Sequence, residues 1–161
     1  MMPFQAMRLR NSGIAPPPGA GFNVTQYLID GDTNNFTQRL GWSFTVGASN
    51  ISVTKLRIIG VSATDELVRI HRNSDGVLMA SALITSAANA WVEGAVSAAT
   101  LLDGVSYTVS SEAAGNSRTL RRNNTVTISS AVTKLGDVFG TGDDIPTSST
   151  GNTYQFVDFG S

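Results

Sequence analysis

His71 is the one histidine of the chain, and the acidic residues near it in sequence are Asp65, Glu66 and Asp75. A catalytic or metal-bound histidine needs a carboxylate to orient it, or companion ligands. No recognised spacing joins these positions, so His71 reads as a structural histidine on an outward strand face, beside Arg69 and Arg72. Glycoside hydrolysis would need a pair of carboxylates. The glutamates are Glu66, Glu93 and Glu112, and none sits in a context that marks an acid or a nucleophile. Cysteine is absent, which removes thiol catalysis, disulfides and zinc–thiolate sites. The chain therefore reads as non-enzymatic, with no catalytic residue.

Binding chemistry has more candidates. Asp30, Asp32 and Asn34 alternate beside Gly31, and Asp143 and Asp144 are adjacent in a second glycine-containing stretch. Hard cations take several carboxylate and carbonyl oxygens, so these four aspartates are the calcium candidates. Neither stretch completes a known loop pattern, and aspartate is also an ordinary turn former. No other cofactor is expected. Arg118, Arg121 and Arg122 form a small basic cluster. It suits an acidic partner surface, an anionic glycan or the acidic 137–144 stretch; the plain alternative is a solvated hairpin tip. Single-stranded nucleic acid needs aromatic stacking between the basic residues, and no aromatic lies between Ala113 and Thr125. Nucleic acid is therefore not an expected partner. Trp91 follows the small, polar residues 86–89 and is the sugar-stacking candidate, with core packing as the alternative. Trp42 shares a face with Leu40, Phe44 and Val46 and reads as core.

Strands must position these residues. Leu40, Trp42, Phe44 and Val46 alternate with smaller or polar residues; Leu56 and Ile58 alternate with Lys55 and Arg57; Val68 and Ile70 alternate with Arg69 and His71. A period of two buries one face of a strand and wets the other. The pattern predicts strands at 40–46, 51–60, 66–72, 77–84, 90–97, 105–111, 125–129 and 153–159. Asp75 with Gly76, and Asp103 with Gly104, are turn signals between apolar runs. About eight antiparallel strands at roughly ten-residue spacing predict an all-β, jelly-roll-like β-sandwich. The stretch 136–153 reads as a long, glycine-rich acidic loop.

Residues 1–39 differ from the rest. Pro3, the run Pro16, Pro17 and Pro18, and four glycines oppose helix and central strand. Yet Phe4, Met7, Leu9, Ile14, Phe22 and Tyr27 are spread through the segment. A purely disordered tail carries fewer such groups. Residues 1–39 thus read as an extended N-terminal arm that packs onto its own domain or a neighbouring subunit, and 40–161 as the sandwich domain. Residues 24–29 are a candidate first strand of the arm.

Charged residues make up only 14% of the 161, and the net charge is −1. Ordinary soluble domains carry roughly 25% charge. A neutral, hydroxyl-rich surface is common in extracellular and viral β proteins; strands rich in Thr and turns rich in Gly and Asn give the same composition. No global field attracts nucleic acid or membrane. No stretch approaches the roughly 20 apolar residues of a membrane helix. The N-terminal residues lack an apolar run of signal length, so the chain is expected to be made in a cytoplasm.

Several segments carry a family resemblance: residues 40–46 around Trp42 and Phe44, 53–60 around Leu56 and Ile58, and 68–72 leading through Asp75 and Gly76 into 77–81. Trp91 and residues 102–109, with Asp103, Gly104 and Tyr107, continue it. Over roughly 40–112 the chain resembles a jelly-roll-like β-sandwich family of unknown function, found in secreted carbohydrate-active and adhesive bacterial proteins and in phage virion proteins. The matching positions are core and turn positions, so the resemblance implies a fold and little about a ligand. The arm and the lack of a secretory signal turn the expectation toward a virion structural protein, a capsid decoration or a tail or fibre component. Its expected partners are other virion proteins and copies of itself, with a homotrimer favoured. Phe4, Met7, Leu9, Ile14, Phe22 and Tyr27 are its expected anchors. The alternative is a carbohydrate-binding or adhesive module using Trp91, Arg118, Arg121 and Arg122.

Overall fold

The computed structural model describes residues 21–28, 31–35, 38–113, 118–122, 125–141, 144–149 and 156–161. Residues 25–28, 31–35, 113, 118–122, 125, 126 and 149 are described by backbone alone. The described residues hold thirteen strands and no helix. In chain order these are β1 Val24–Leu28, β2 Gly31–Asn35, β3 Arg39–Val46, β4 Ile51–Ile59, β5 Asp65–Arg72, β6 Leu78–Thr85 and β7 Trp91–Leu101. They continue with β8 Ser106–Ala113, β9 Arg118–Arg122, β10 Thr125–Ile128, β11 Val132–Gly140, β12 Ser148–Ser149 and β13 Val157–Gly160.

A six-stranded sheet runs in the order β12-β11-β3-β8-β5-β6, and a three-stranded sheet in the order β13-β4-β7. Every ladder in both is antiparallel. The chain crosses between the sheets at β3–β4, β4–β5, β6–β7, β7–β8 and β12–β13, so the two layers are woven from one chain. The protein is an all-β sandwich. Two small ribbons, β1 with β10 and β2 with β9, add to it.

The period-two pattern accounts for the core. Leu40, Trp42, Phe44 and Val46 are buried on one face of β3, and Val68 and Ile70 on β5. Leu56 and Ile58 face them from β4, with Phe159 from β13. The ring centroids of Phe44 and Phe159 are 4.6 Å apart, and those of Phe44 and Tyr107 are 6.0 Å apart. The Trp42 Nε1–H donates to the Val157 carbonyl at 2.8 Å, joining the two sheets through the core. Both aspartate–glycine turns form, with φ of 72° at Gly76 and 69° at Gly104, where L side chains are strained. Arg72 closes the first turn on Asp75.

β11 was not among the predicted strands. It pairs along the length of β3, from Val132 opposite Val46 to Gly140 opposite Arg39. A bulge between Lys134 and Gly136 breaks its alternation and leaves Leu135 exposed, which hides the period from the sequence. β7 also runs on to Leu101, past the predicted end at 97.

Gly41 sits where β3 presses closest on β8. A Cβ there would lie 1.9 Å from the Val109 carbonyl oxygen. Gly41→Ala should therefore displace one central strand, at a cost of about 1–3 kcal/mol or more. A urea titration checks this; an unchanged midpoint would show that the ladder can give way.

Candidate functional site

Among the described residues, three places on the sandwich carry chemistry beyond core packing. The first lies on the outer face of the three-stranded sheet. Alternation points Arg57 away from the core of β4 and Asp158 away from the core of β13, and the register sets them opposite each other. Both are nevertheless buried, because residues 22–24 cross over them. Asp158 Oδ2 accepts from Arg57 Nε at 3.2 Å, from Arg57 Nη2 at 2.9 Å and from the Val24 N–H at 2.9 Å. Arg57 Nη2 also donates to the Val24 carbonyl at 2.6 Å. The guanidinium carbon sits 3.9 Å from the Phe22 ring centroid and 4.3 Å from that of Trp91, so two aromatic rings flank it. Asn23 completes the clamp, donating to the Phe159 carbonyl at 3.0 Å and accepting from Ser129 Oγ at 2.9 Å.

Burial dominates the electrostatics of this clamp. Loss of solvation raises the Asp158 carboxyl from 3.8 to about 6, against the opposing pull of Arg57 and the backbone N–H groups. Burial likewise lowers Arg57 from its ordinary value, opposed by Asp158.

The second place is the outer face of the six-stranded sheet. One row across it carries Ser43, Thr108 and His71, and the next carries Gly41, Ser110 and Arg69. His71 faces outward as expected but is only 6% exposed, which corrects its reading as a surface residue. Burial lowers its pKa, and the positive charges of Arg39 and Arg69 act in the same direction, favouring the neutral ring. Arg39, also buried, donates to Glu112 Oε2 at 3.1 Å and to the Asp144 carbonyl at 2.8 Å. Ser43 Oγ and Thr108 Oγ1 lie 2.6 Å apart, and Thr108 donates to Asn73 Oδ1 at 2.8 Å. Beside this chain is a pocket of about 290 Å³, walled by Leu135, Val138, Ile145 and Pro146.

The third place is the pair of edges β6 and β7, each last in its sheet. Leu78 is 50% exposed, Leu83 63% and Val77 43%. Met79, Ala80 and Val96 line a shallow groove between the two edges. Between Asp75 and Asp103 the only charged residue is Glu93.

Several candidate residues change meaning in this setting. Phe22 was expected to anchor a partner. It is 5% exposed and packs on Arg57 of its own domain, so its ring is already occupied. Among the described residues, contacts with the sandwich thus extend back through Phe22 to Gly21, within the expected arm 1–39. Tyr27 lies in β1, opposite Val126 of β10. Trp91 is half-buried with one ring face against Arg57, and that face is closed to a sugar. Arg118, Arg121 and Arg122 lie on β9, opposite Asn35, Asp32 and Gly31 of β2. The register thus faces the calcium candidate Asp32 with an arginine. Asp144 is exposed, and no group of three or more His, Cys, Asp or Glu with metal-site geometry occurs among the described residues. Phe4, Met7, Leu9, Ile14, Asp30 and Asp143 lie outside the described residues.

Sequence reasoning missed the clamp and the buried Glu66, which accepts a hydrogen bond from Ser111 Oγ. Alternation marks Arg57 and Asp158 as solvent-facing. The only advance signal was Phe22, an aromatic residue ahead of a candidate strand.

Comparison with family models, with curated proteins and with solved structures finds no match to this chain.

Proposed function

We propose that the chain is a non-enzymatic structural protein of a phage virion, a capsid decoration or a tail or fibre component. It assembles with copies of itself and with other virion proteins through its N-terminal arm and its sandwich surfaces. The observation that carries this reading is the β6 and β7 edge pair. Proteins that stay monomeric guard free edges with charge, proline or short strands. Here an eight-residue and an eleven-residue edge strand carry one charge between them, and three large apolar residues on or beside β6 are exposed. A β6 edge on one copy meeting a β7 edge on the next is a heterologous contact, which gives a ring, a trimer among them, when its rotation closes. The clamp supports the arm's part in the reading: it fixes residues 22–24 to the domain, with Gly21 beside Ser161. The resemblance over 40–112 extends to phage virion proteins, which supports a virion location.

The edge reading has a direct test. Leu78→Lys combined with Leu83→Lys places charge on exposed positions of the edge and should leave the melting temperature nearly unchanged. Light scattering on a sizing column should show an oligomer for the parent chain and a smaller mass for the variant. An unchanged mass in the variant would remove the edge from the interface.

A further inference from the structure

The pocket on the outer face of the six-stranded sheet has a floor and a wall of different character. Its floor is Ser43, Thr108 and Asn73, with Thr108 fully buried and Ser43 nearly so. Thr108 spends its one hydrogen on Asn73 Oδ1, so the contact between the hydroxyls requires Ser43 to donate to Thr108. That leaves the Asn73 amide N–H groups as donors and the Ser43 oxygen as an acceptor. The wall is apolar: Leu135, Val138, Ile145 and Pro146. No described residue lining the pocket is charged. Farther along the same sheet face, Ser110 Oγ and His71 Nδ1 are buried with no hydrogen-bond partner among the described residues. Buried polar atoms in folded proteins are normally paired with protein or water.

These features select a ligand class. An ion would meet no countercharge among the described lining residues and would lose its hydration uncompensated. A purely apolar molecule would strand the floor's donors and acceptor. A molecule with one C–H face and a rim of hydroxyls satisfies both sides. Ligand pockets usually span roughly 300–1,000 Å³, so about 290 Å³ is room for one ring rather than a chain of them. We propose that this pocket binds a single neutral pyranose unit, its C–H face on Ile145 and Pro146 and its hydroxyls on Asn73 and Ser43. The site is separate from the β6 and β7 edges and does not depend on the assembly reading.

The test is a titration of the isotope-labelled full chain, followed by amide and methyl chemical shifts. The probes are methyl α-D-glucopyranoside, methyl β-D-galactopyranoside and N-acetyl-D-glucosamine, with D-glucuronate as the charged comparator. At least one neutral sugar should give saturable shifts centred on Asn73, Thr108, Leu135, Ile145 and Thr147, and glucuronate should bind more weakly. Asn73→Ala should weaken binding about tenfold, the worth of one well-placed hydrogen bond. Leu135→Ser, at an exposed position, should weaken it without lowering the melting temperature. The proposal is overturned if no neutral sugar gives saturable shifts, if the shifts centre elsewhere, or if both variants bind as the parent does.

Discussion

Asp158→Ala should destabilise the domain by about 3–5 kcal/mol, the range for breaking a buried ion pair by removing one partner. The loss has two parts. Arg57 is left buried with its main counter-ion gone, and the Val24 N–H loses its acceptor. Because residues 22–24 close over both, the variant should also expose Phe22 and raise amide exchange at Val24 at the start of β1. Asp158→Asn separates the parts: it keeps an acceptor for Val24 and removes only the charge, so it should cost less. The pH dependence gives an independent sign. The folded carboxyl titrates near 6, above its ordinary 3.8. The folded state therefore binds this proton more readily than the unfolded chain does. Its contribution to stability is fully present below 3.8 and is lost as pH rises through about 6. Denaturant midpoints of the parent, compared with those of Asp158→Asn between pH 4 and 7, should show that component in the parent alone. If Asp158→Ala melts like the parent, the clamp contributes nothing to the fold.

Trp42→Ala should cost a similar amount, about 3–5 kcal/mol for a fully buried aromatic side chain. Trp42 has no exposed surface, and its ring stands 5.1 Å from that of Phe44 and 6.1 Å from that of Phe159. Its Nε1–H also reaches across the sandwich to Val157. Truncation opens a cavity and leaves a buried carbonyl without that donor. Trp42→Phe keeps most of the volume and removes the donor, so its cost should fall to about 1–3 kcal/mol. Equilibrium unfolding in urea ranks the two. Equal losses in both variants would place the whole effect in the hydrogen bond and none in packing.

The legible part of this fold is the part governed by period two. β3, β4, β5 and β6 begin and end within a residue or two of where alternation and turn residues place them, because each buries one face against the other sheet. β11 escaped because its bulge at Gly136 breaks the period in mid-strand. The site was much less legible, for a related reason. Alternation separates the two faces of a strand, but it does not say that an outer face will be covered. Arg57, Asp158, His71 and Thr108 all lie on outer faces, and all are buried. Their cover over β4 comes from residues 22–24, far away in sequence, and that long-range contact has no local signature. The same contact places Phe22, a residue of the expected arm, on its own domain, one of the two alternatives the sequence leaves open.

The most direct test of the assembly account is the solution mass of the full chain beside that of the triple variant Phe4→Ser, Met7→Ser and Leu9→Ser. These residues precede Gly21 and the clamp. The account predicts a defined oligomer for the parent, and a smaller species with an unchanged melting temperature for the variant. A parent that stays monomeric at every concentration, or a variant that loses melting temperature while keeping its mass, would contradict it.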